Sequence, residues 1–213
     1  MKYKAIVFDC DGTLLDTISD LTNAVNFALQ SVNAPMQTDK DTLGMVGNGI
    51  KKLVERSLPD NKKELFDVAF KKFKEYYNNH YDDFTKPYPG IPETLQILKE
   101  KGYVLLLVSN KNTLFLEKLY NKFFCDTISV SLGETEGLKA KPAPDMVEYV
   151  LKKVGIDKKD AVYVGDSDVD IQTAKNSGLD CISVSWGFKT REDLIKYGAN
   201  IIIDAPQELL EMV

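Results

Sequence analysis

A short apolar strand that runs straight into two carboxylates sets the terms for this chain. Residues 4–8 are mostly apolar and β-branched, which predicts a buried strand. They lead into Asp9-Cys10-Asp11-Gly12-Thr13-Leu14-Leu15. Burying a strand that ends in unpaired carboxylates is unfavourable unless something compensates the charge. A divalent cation is the natural compensator, and hard oxygen donors suit magnesium. In an extended strand Asp9 and Asp11 point to one face. Where the strand turns into a glycine loop, both can line one site. Taken alone, the stretch also reads as a strand followed by an ordinary Asp-Gly turn.

Beyond Leu15 the pattern changes. Residues 16–32 carry Leu21, Val25, Phe27, Ala28 and Leu29 near helical spacing, and Asn33-Ala34-Pro35 ends the run. A short helix start follows at 38–43, then a loop at 44–49 and a helix at 50–58 stopped by Pro59-Asp60. A further helix is predicted over 63–80, with Leu65, Val68, Ala69, Phe73, Tyr76 and Tyr77 as its apolar stripe. The block 16–85 therefore reads as all-helical, closed by the turn-rich Lys86-Pro87-Tyr88-Pro89-Gly90-Ile91-Pro92.

From there helices and strands alternate. Helices are expected at 93–101, 114–122, 143–154 and 171–177, the last with Gly178 just past its end. Strands are expected at 103–108, 127–130, 161–164, 181–184 and 201–203. The nearly continuous apolar character of 103–108 marks a strand covered on both faces. The alternation predicts an α/β fold: a doubly wound, Rossmann-like parallel sheet with right-handed crossovers, into which the helical block is inserted. The expected division is 1–15 with 86–213 as the α/β core, and 16–85 as the helical insert.

Composition removes several function classes. Net charge is −5 over 213 residues, with lysines mixed among acids, so a general nucleic-acid binder is not expected. No apolar run reaches the ~18 residues of a membrane span. The first residues show no signal-peptide pattern. Cys10, Cys125 and Cys181 are an odd, scattered set, which suggests a reducing compartment and a cytoplasmic location. Cys10 has no neighbouring histidine and is expected to be a small packed side chain. His80 is the single histidine, which makes His-based triads and His-rich metal sites poor hypotheses.

Four polar sets fall at or after the strands: Asp9 with Asp11, Ser109, Lys141, and Asp166 with Asp170. In open α/β sheets ligands bind outside the carboxyl ends of the strands, and all four sets belong to that edge. Together they suit phosphoryl transfer. Asp9 is the candidate nucleophile, forming an acyl phosphate. Asp11 can protonate the leaving oxygen and then deprotonate water. Ser109 and the Asn110 backbone N–H can donate to phosphoryl oxygens, and Lys141 supplies balancing positive charge. Magnesium would neutralise the repulsion between nucleophile and phosphate.

These residues resemble the haloacid dehalogenase-like superfamily of phosphatases. Asp9-Cys10-Asp11-Gly12-Thr13-Leu14 looks like its first motif, Ser109 its second, Lys141 in Lys141-Pro142-Ala143-Pro144 its third, and Gly165-Asp166-Ser167-Asp168-Val169-Asp170 its fourth. The resemblance covers the whole chain and makes 16–85 similar to a small helical cap. It implies that Asp9 and Asp166 bind magnesium directly, that Asp11 contributes its main-chain carbonyl, and that Asp170 acts from an outer sphere. Gly12, Thr13 and Asn110 are the expected substrate contacts in the core. Gly47-Asn48-Gly49-Ile50, Leu53-Val54-Glu55-Arg56-Ser57-Leu58, Ser109-Asn110-Lys111, Ser185-Trp186-Gly187-Phe188 and the ending Ile202-Ile203-Asp204-Ala205-Pro206-Gln207-Glu208-Leu209-Leu210 are similar to the phosphoglycolate phosphatases. That likeness makes Gly49 and Arg56 the cap candidates and 2-phosphoglycolate the first substrate. Trp186 reads equally as core packing or a substrate-side ring.

The alternatives are a pyrophosphatase, a nucleotidase, a sugar-phosphate phosphatase or phosphomutase of the same superfamily, and a low-turnover phosphate-binding regulatory module. A phosphonoacetaldehyde-type hydrolase and a dehalogenase are disfavoured, because Asp11 would have no task in either. The expected partner is a small phosphorylated metabolite, with no nucleic acid and no membrane, and the protein is expected to be a monomer or homodimer.

Overall fold

The apolar run after Lys4 forms β1 (Ala5–Phe8), and none of its four residues reaches solvent. In the computed structural model, which describes residues 2–213, it is followed by β2 (Leu15–Asp16), α1 (Ile18–Ser31), α2 (Asp39–Leu43), α3 (Gly49–Ser57), α4 (Phe66–Tyr77) and β3 (Lys86–Pro87). Then come α5 (Ile91–Glu100), β4 (Val104–Asn112), α6 (Thr113–Phe123), β5 (Val130–Glu134) and α7 (Asp145–Val154). The chain ends with β6 (Ala161–Gly165), α8 (Asp168–Ser177), β7 (Asp180–Val184), α9 (Arg191–Lys196), β8 (Ile201–Ile203) and α10 (Leu209–Met212). Two compact units result: Met1–Leu15 with Pro87–Val213, and Asp16–Lys86.

The first unit is an α/β layer structure. Its six strands run in the order β5-β4-β1-β6-β7-β8, every neighbouring pair parallel. Ile6, Val7, Phe8, Leu106, Leu107, Val162, Tyr163 and Val164 are all buried, because helices cover both faces. On one face Val147, Val150 and Leu151 of α7 pack with Val7, Leu106, Val108 and Tyr163. The strand order winds outward from β1 to β5, then returns across β1 to β6. Phe8 is level with Val164 in that pair. Open α/β sheets place their ligand crevice at the carboxyl ends of the strands where the winding reverses, which here is between β1 and β6.

The second unit is helical. Its core is α1 against α4, with Leu21, Ala24, Val25, Ala28 and Leu29 meeting Ala69, Phe73 and Tyr77. Asp20 is buried there without a cation among its bonded partners. It accepts from the Phe84 amide, from the Thr85 amide at 2.8 Å and from Thr85 Oγ1 at 2.6 Å. Those donors lie just before β3, and Asp20 just after β2, so one carboxylate staples the entry and exit segments of this unit. Asp20→Ala strands both amides; the expected loss is about 3 kcal/mol, read as a lowered unfolding midpoint and faster hydrogen exchange at Phe84 and Thr85. Unchanged exchange at these amides would refute the staple.

The structure moves several predicted boundaries. The strand expected to end at 108 continues through Asn112, with a register irregularity against β5 between Val108 and Asn112. The strand expected at 127–130 lies at Val130–Glu134 instead. There the amides of Thr127 and Ile128 both turn back to the Phe124 carbonyl at 2.9 Å, which holds that segment as a turn. The helix expected over 63–80 is a 3-10 turn (Asp60–Leu65) followed by α4. Helix α8 begins at Asp168, three residues earlier than its apolar pattern shows, because Ser167 and Asp170 form a reciprocal cap. Among the described residues no helix is long and apolar enough to cross a membrane.

Candidate active site

The crevice at the β1/β6 reversal collects the acids. Asp9 leaves β1, Asp166 leaves β6, and Asp170 enters from the first turn of α8. Carboxylate oxygens of the three lie within 4.8 Å of one another, and all three residues are buried. Lys141 Nζ sits among them, 2.8 Å from Asp9 Oδ1 and 2.8 Å from Asp170 Oδ1. Its ammonium is almost fully buried, at 2% side-chain exposure.

Each acid is held differently. Asp170 is saturated: Oδ1 accepts from Lys141 Nζ and from Tyr163 Oη at 3.0 Å, while Oδ2 accepts from the Ser167 amide at 3.1 Å and Ser167 Oγ at 2.6 Å. Four donors fill the four lone-pair positions of a carboxylate. Asp166 accepts one donor on each oxygen, Thr13 Oγ1 at 3.0 Å and the Phe188 amide at 2.8 Å. Asp9 Oδ1 is buried, with Lys141 Nζ 2.8 Å away as its ion-pair partner and no further donor among the described residues. Asp9 and Asp166 thus keep lone pairs for a further partner, and Asp170 does not.

The electrostatics follow from that packing. Burial, then the charge of Asp170, pushes the Asp9 carboxyl up to about 7 against the opposing pull of Lys141. Burial, Asp170 and Asp9 also raise Asp166 well above the usual carboxylate range. Burial disfavours the charge on Lys141, but Asp170 and Asp9 outweigh it and hold the ammonium well above its ordinary value. Burial drives the Cys10 thiol well up, so Cys10 is a packed side chain and not a nucleophile.

The remaining predicted residues fall around this cluster. Asn110 exchanges two hydrogen bonds with the Lys141 backbone, Nδ2 to its carbonyl at 3.0 Å and Oδ1 from its amide at 2.8 Å, so its side chain braces the lysine. Ser109 is buried at the end of β4. Asp11 is partly exposed, and Lys111 Nζ lies 2.9 Å from its Oδ1. The Thr13 hydroxyl donates to Asp166 Oδ1 at 3.0 Å. Gly12 has φ +86°, and a Cβ there would stand 2.4 Å from Asp166 Oδ2. Gly187 is equally confined, since its Cβ would meet the Gly12 carbonyl at 2.3 Å. Trp186 Nε1 donates to the Thr13 carbonyl at 3.0 Å, tying the loop after β7 to the loop after β1. Asp168 is exposed at the start of α8.

Gly49 and Arg56 belong to the helical unit. Gly49 opens α3 at φ +79°. Arg56 donates to the Met45 carbonyl at 2.8 Å and to Asn48 Oδ1 at 2.7 Å, so its guanidinium orders the loop that carries Gly49.

Sequence alone assigns Tyr163 no role, and places Ser167 and Lys111 only as neighbours of the acids and of Ser109 within the quoted motifs. Tyr163 sits mid-strand in an apolar run, where the available signal is that a buried tyrosine hydroxyl needs a polar partner. Lys111 stands two residues from Ser109 in one strand, and that spacing was the signal for it.

A buried acidic cluster and a desolvated lysine thus stand together at the winding reversal of a parallel sheet, a site with the charge and the donors to bind a cation and an anion. The chain belongs to the haloacid dehalogenase-like hydrolase family, whose sequence model it matches over residues 6–184. It is 31% identical to the phosphoglycolate phosphatase of Haemophilus influenzae over 221 aligned residues, covering 100% of this chain and 99% of that protein. Against the phosphoglycolate phosphatase of a Neisseria meningitidis strain it is 34% identical, covering 87% of this chain and 81% of the relative. A predicted phosphoglycolate phosphatase from Haemophilus somnus superposes with a TM-score of 0.90 at 28% identity, over 100% of this chain and 98% of that one.

Proposed function

We propose that the protein is a magnesium-dependent phosphatase of small phosphomonoesters that works through an aspartyl phosphate on Asp9, with 2-phosphoglycolate its first candidate substrate. The observation that carries the reading is Asp9 Oδ1: a buried carboxylate oxygen at a strand end, held only by the desolvated Lys141 ammonium among the described residues. The substrate follows the names of the relatives described above.

The residues fit a divalent cation. Asp9, Asp11, Asp166 and Asp170 face two ammoniums, Lys111 and Lys141, and a doubly charged ion balances that set. Asp9 and Asp166 would hold it, with the Asp11 carbonyl, while the saturated Asp170 would act from behind Lys141 and Ser167. Magnesium would supply charge neutralisation between nucleophile and phosphate. Asp9 attacks phosphorus, the ester P–O bond breaks, and the leaving oxygen takes a proton from Asp11; Asp11 then accepts the proton of the attacking water. The Ser109 hydroxyl, the Asn110 amide and Lys141 receive the developing negative charge. The amides around Gly12 stay close to this centre because no Cβ intervenes. The Asp16–Lys86 unit serves as the cap, with Gly49 and Arg56 its candidate substrate contacts, and the enzyme is cytoplasmic.

The test is phosphate release from 2-phosphoglycolate, pyrophosphate, nucleoside monophosphates and β-glucose 1-phosphate, with and without magnesium. A magnesium-dependent preference for phosphoglycolate of about a hundredfold in kcat/KM, about 2.7 kcal/mol, is the expected result. A flat response across the panel would remove phosphoglycolate, and no release at all would favour a phosphate-binding regulatory module.

A pH dependence follows from Asp9. Its carboxyl, raised to about 7, holds a proton in mildly acid solution that a cation must displace. Cation affinity therefore rises with pH up to about 7 and levels off above it, with proton release on binding. Without metal the sign reverses: a raised acid loses folding stability as pH climbs from its ordinary 3.8 towards 7. Calorimetry in buffers of different ionisation enthalpy measures both, and an affinity independent of pH would contradict the assignment.

A further inference from the structure

We propose that Lys111 is a positioning residue for Asp11: it occupies Oδ1, so that the proton Asp11 gives and takes travels on Oδ2. The inference rests on the phosphatase reading above. It starts from a lysine ammonium with 2% side-chain exposure, 2.9 Å from Asp11 Oδ1, whose own carboxylate is 21% exposed. Removing an ammonium from water is unfavourable, and only a specific geometry repays it.

The backbone is shaped to deliver that side chain. β4 departs from regular pairing with β5 between Val108 and Asn112, which includes Lys111. Irregularities of this kind re-aim a side chain at the end of a strand. The Lys111 amide turns to Ser109 Oγ at 3.1 Å. On the neighbouring strand stands Gly133, where a Cβ would lie 2.6 Å from the Lys111 carbonyl and 2.8 Å from Thr113 Cα. The close approach of β5 to the end of β4 is thus open only to glycine. Gly133, the irregular register and the Ser109 hydroxyl together place the Lys111 ammonium on the acid that flanks the nucleophile.

What Lys111 contributes is orientation. A carboxyl oxygen can accept from an ammonium in both protonation states, so the Lys111 contact to Oδ1 survives the whole cycle. Among the described residues Oδ2 takes no hydrogen bond, which leaves it to meet the leaving oxygen and then water. In the first step the Asp9 oxygen bonds to phosphorus, the electron pair of the broken P–O bond goes to the leaving oxygen, and the proton on Oδ2 follows it. Lys141 serves a different purpose: its ammonium meets Asp9, Asp170 and the Tyr163 hydroxyl.

A leaving-group series separates this from a structural or charge role. Substituted phenyl phosphates from p-nitrophenyl to p-methoxyphenyl carry no carboxylate, and differ in how much they need a proton. The full chain is compared with Lys111→Met, Asp11→Asn and the double variant, with Lys111→Gln as a second substitution should Lys111→Met fail to fold. The expected loss in kcat/KM for Lys111→Met grows from about 3-fold for the p-nitrophenyl ester to about 100-fold for the p-methoxyphenyl ester, the span of one general acid. Asp11→Asn shows the same trend, and adding Lys111→Met to it changes little, because the two act as one unit. Lys111→Arg restores part of the slope. Equal losses along the series, or losses that multiply in the double variant, would overturn the proposal. A wild type that cleaves the phenyl esters but not 2-phosphoglycolate would remove the substrate assignment and leave Lys111 in place. A wild type that cleaves none of them would overturn both.

Discussion

Asp9→Asn abolishes turnover, with kcat/KM falling by about 10⁴-fold or more, while the folded metal-free protein at pH 8 is at least as stable as the wild type. The two halves have one origin. An amide oxygen cannot form the acyl phosphate, so the first step has no nucleophile. The same position disfavours a charge: burial and Asp170 push the Asp9 carboxyl up to about 7 despite Lys141. At pH 8 the wild type must ionise it, whereas asparagine fills the volume without charge. Steady-state kinetics and a thermal midpoint read the two effects. A retained rate of a few per cent would refute the covalent mechanism, and a midpoint several degrees lower would refute the electrostatic account.

Lys141→Met acts in the opposite direction on stability. The ammonium contacts Asp9 and Asp170 at 2.8 Å each and is almost fully buried. Removing it leaves two buried carboxylates facing each other, and the expected destabilisation is about 3–5 kcal/mol in metal-free protein at pH 8. The penalty shrinks as pH falls from 8 towards about 7, because without the opposing pull of Lys141 the Asp9 carboxyl of the variant takes up its proton at a higher pH than in the wild type. Magnesium restores more stability to this variant than to the wild type, since the cation compensates the same charges. Turnover falls by about 10³-fold, the loss of one fixed donor to the phosphoryl group. Denaturant unfolding at pH 5 and pH 8, with and without magnesium, checks the sign. A penalty that is the same at both pH values would show that Lys141 stabilises through packing of its stem alone.

The legible part of this protein is local. Ala5–Phe8 is apolar at every position because both faces of β1 are covered, and the same reason makes Tyr163 and its neighbours in β6 readable as a strand. Asp9, Lys141 and Asp166 stand directly at strand or loop ends, so their convergence follows from parallel strands sharing one carboxyl edge. What was not legible depends on contacts between segments far apart in sequence. The strand predicted at 127–130 lies further on because the Phe124 carbonyl captures two amides, which no periodicity records. Thr13 belongs to Asp166 across 153 residues, and Lys111 to Asp11 across 100.

Residue types and spacing by themselves determined the alternating α/β core, the helical insert and the identity of the acids and lysine that meet. Only the tertiary structure decided which oxygen each donor takes. Asp166 and Asp170 are both acids of one short loop–helix segment, yet one keeps free lone pairs and the other has none. The difference arises from Tyr163, Ser167 and Phe188, brought in by β6, α8 and the loop after β7. Charge type is a property of the residue, but the lone pairs left for a ligand are a property of the packing around it.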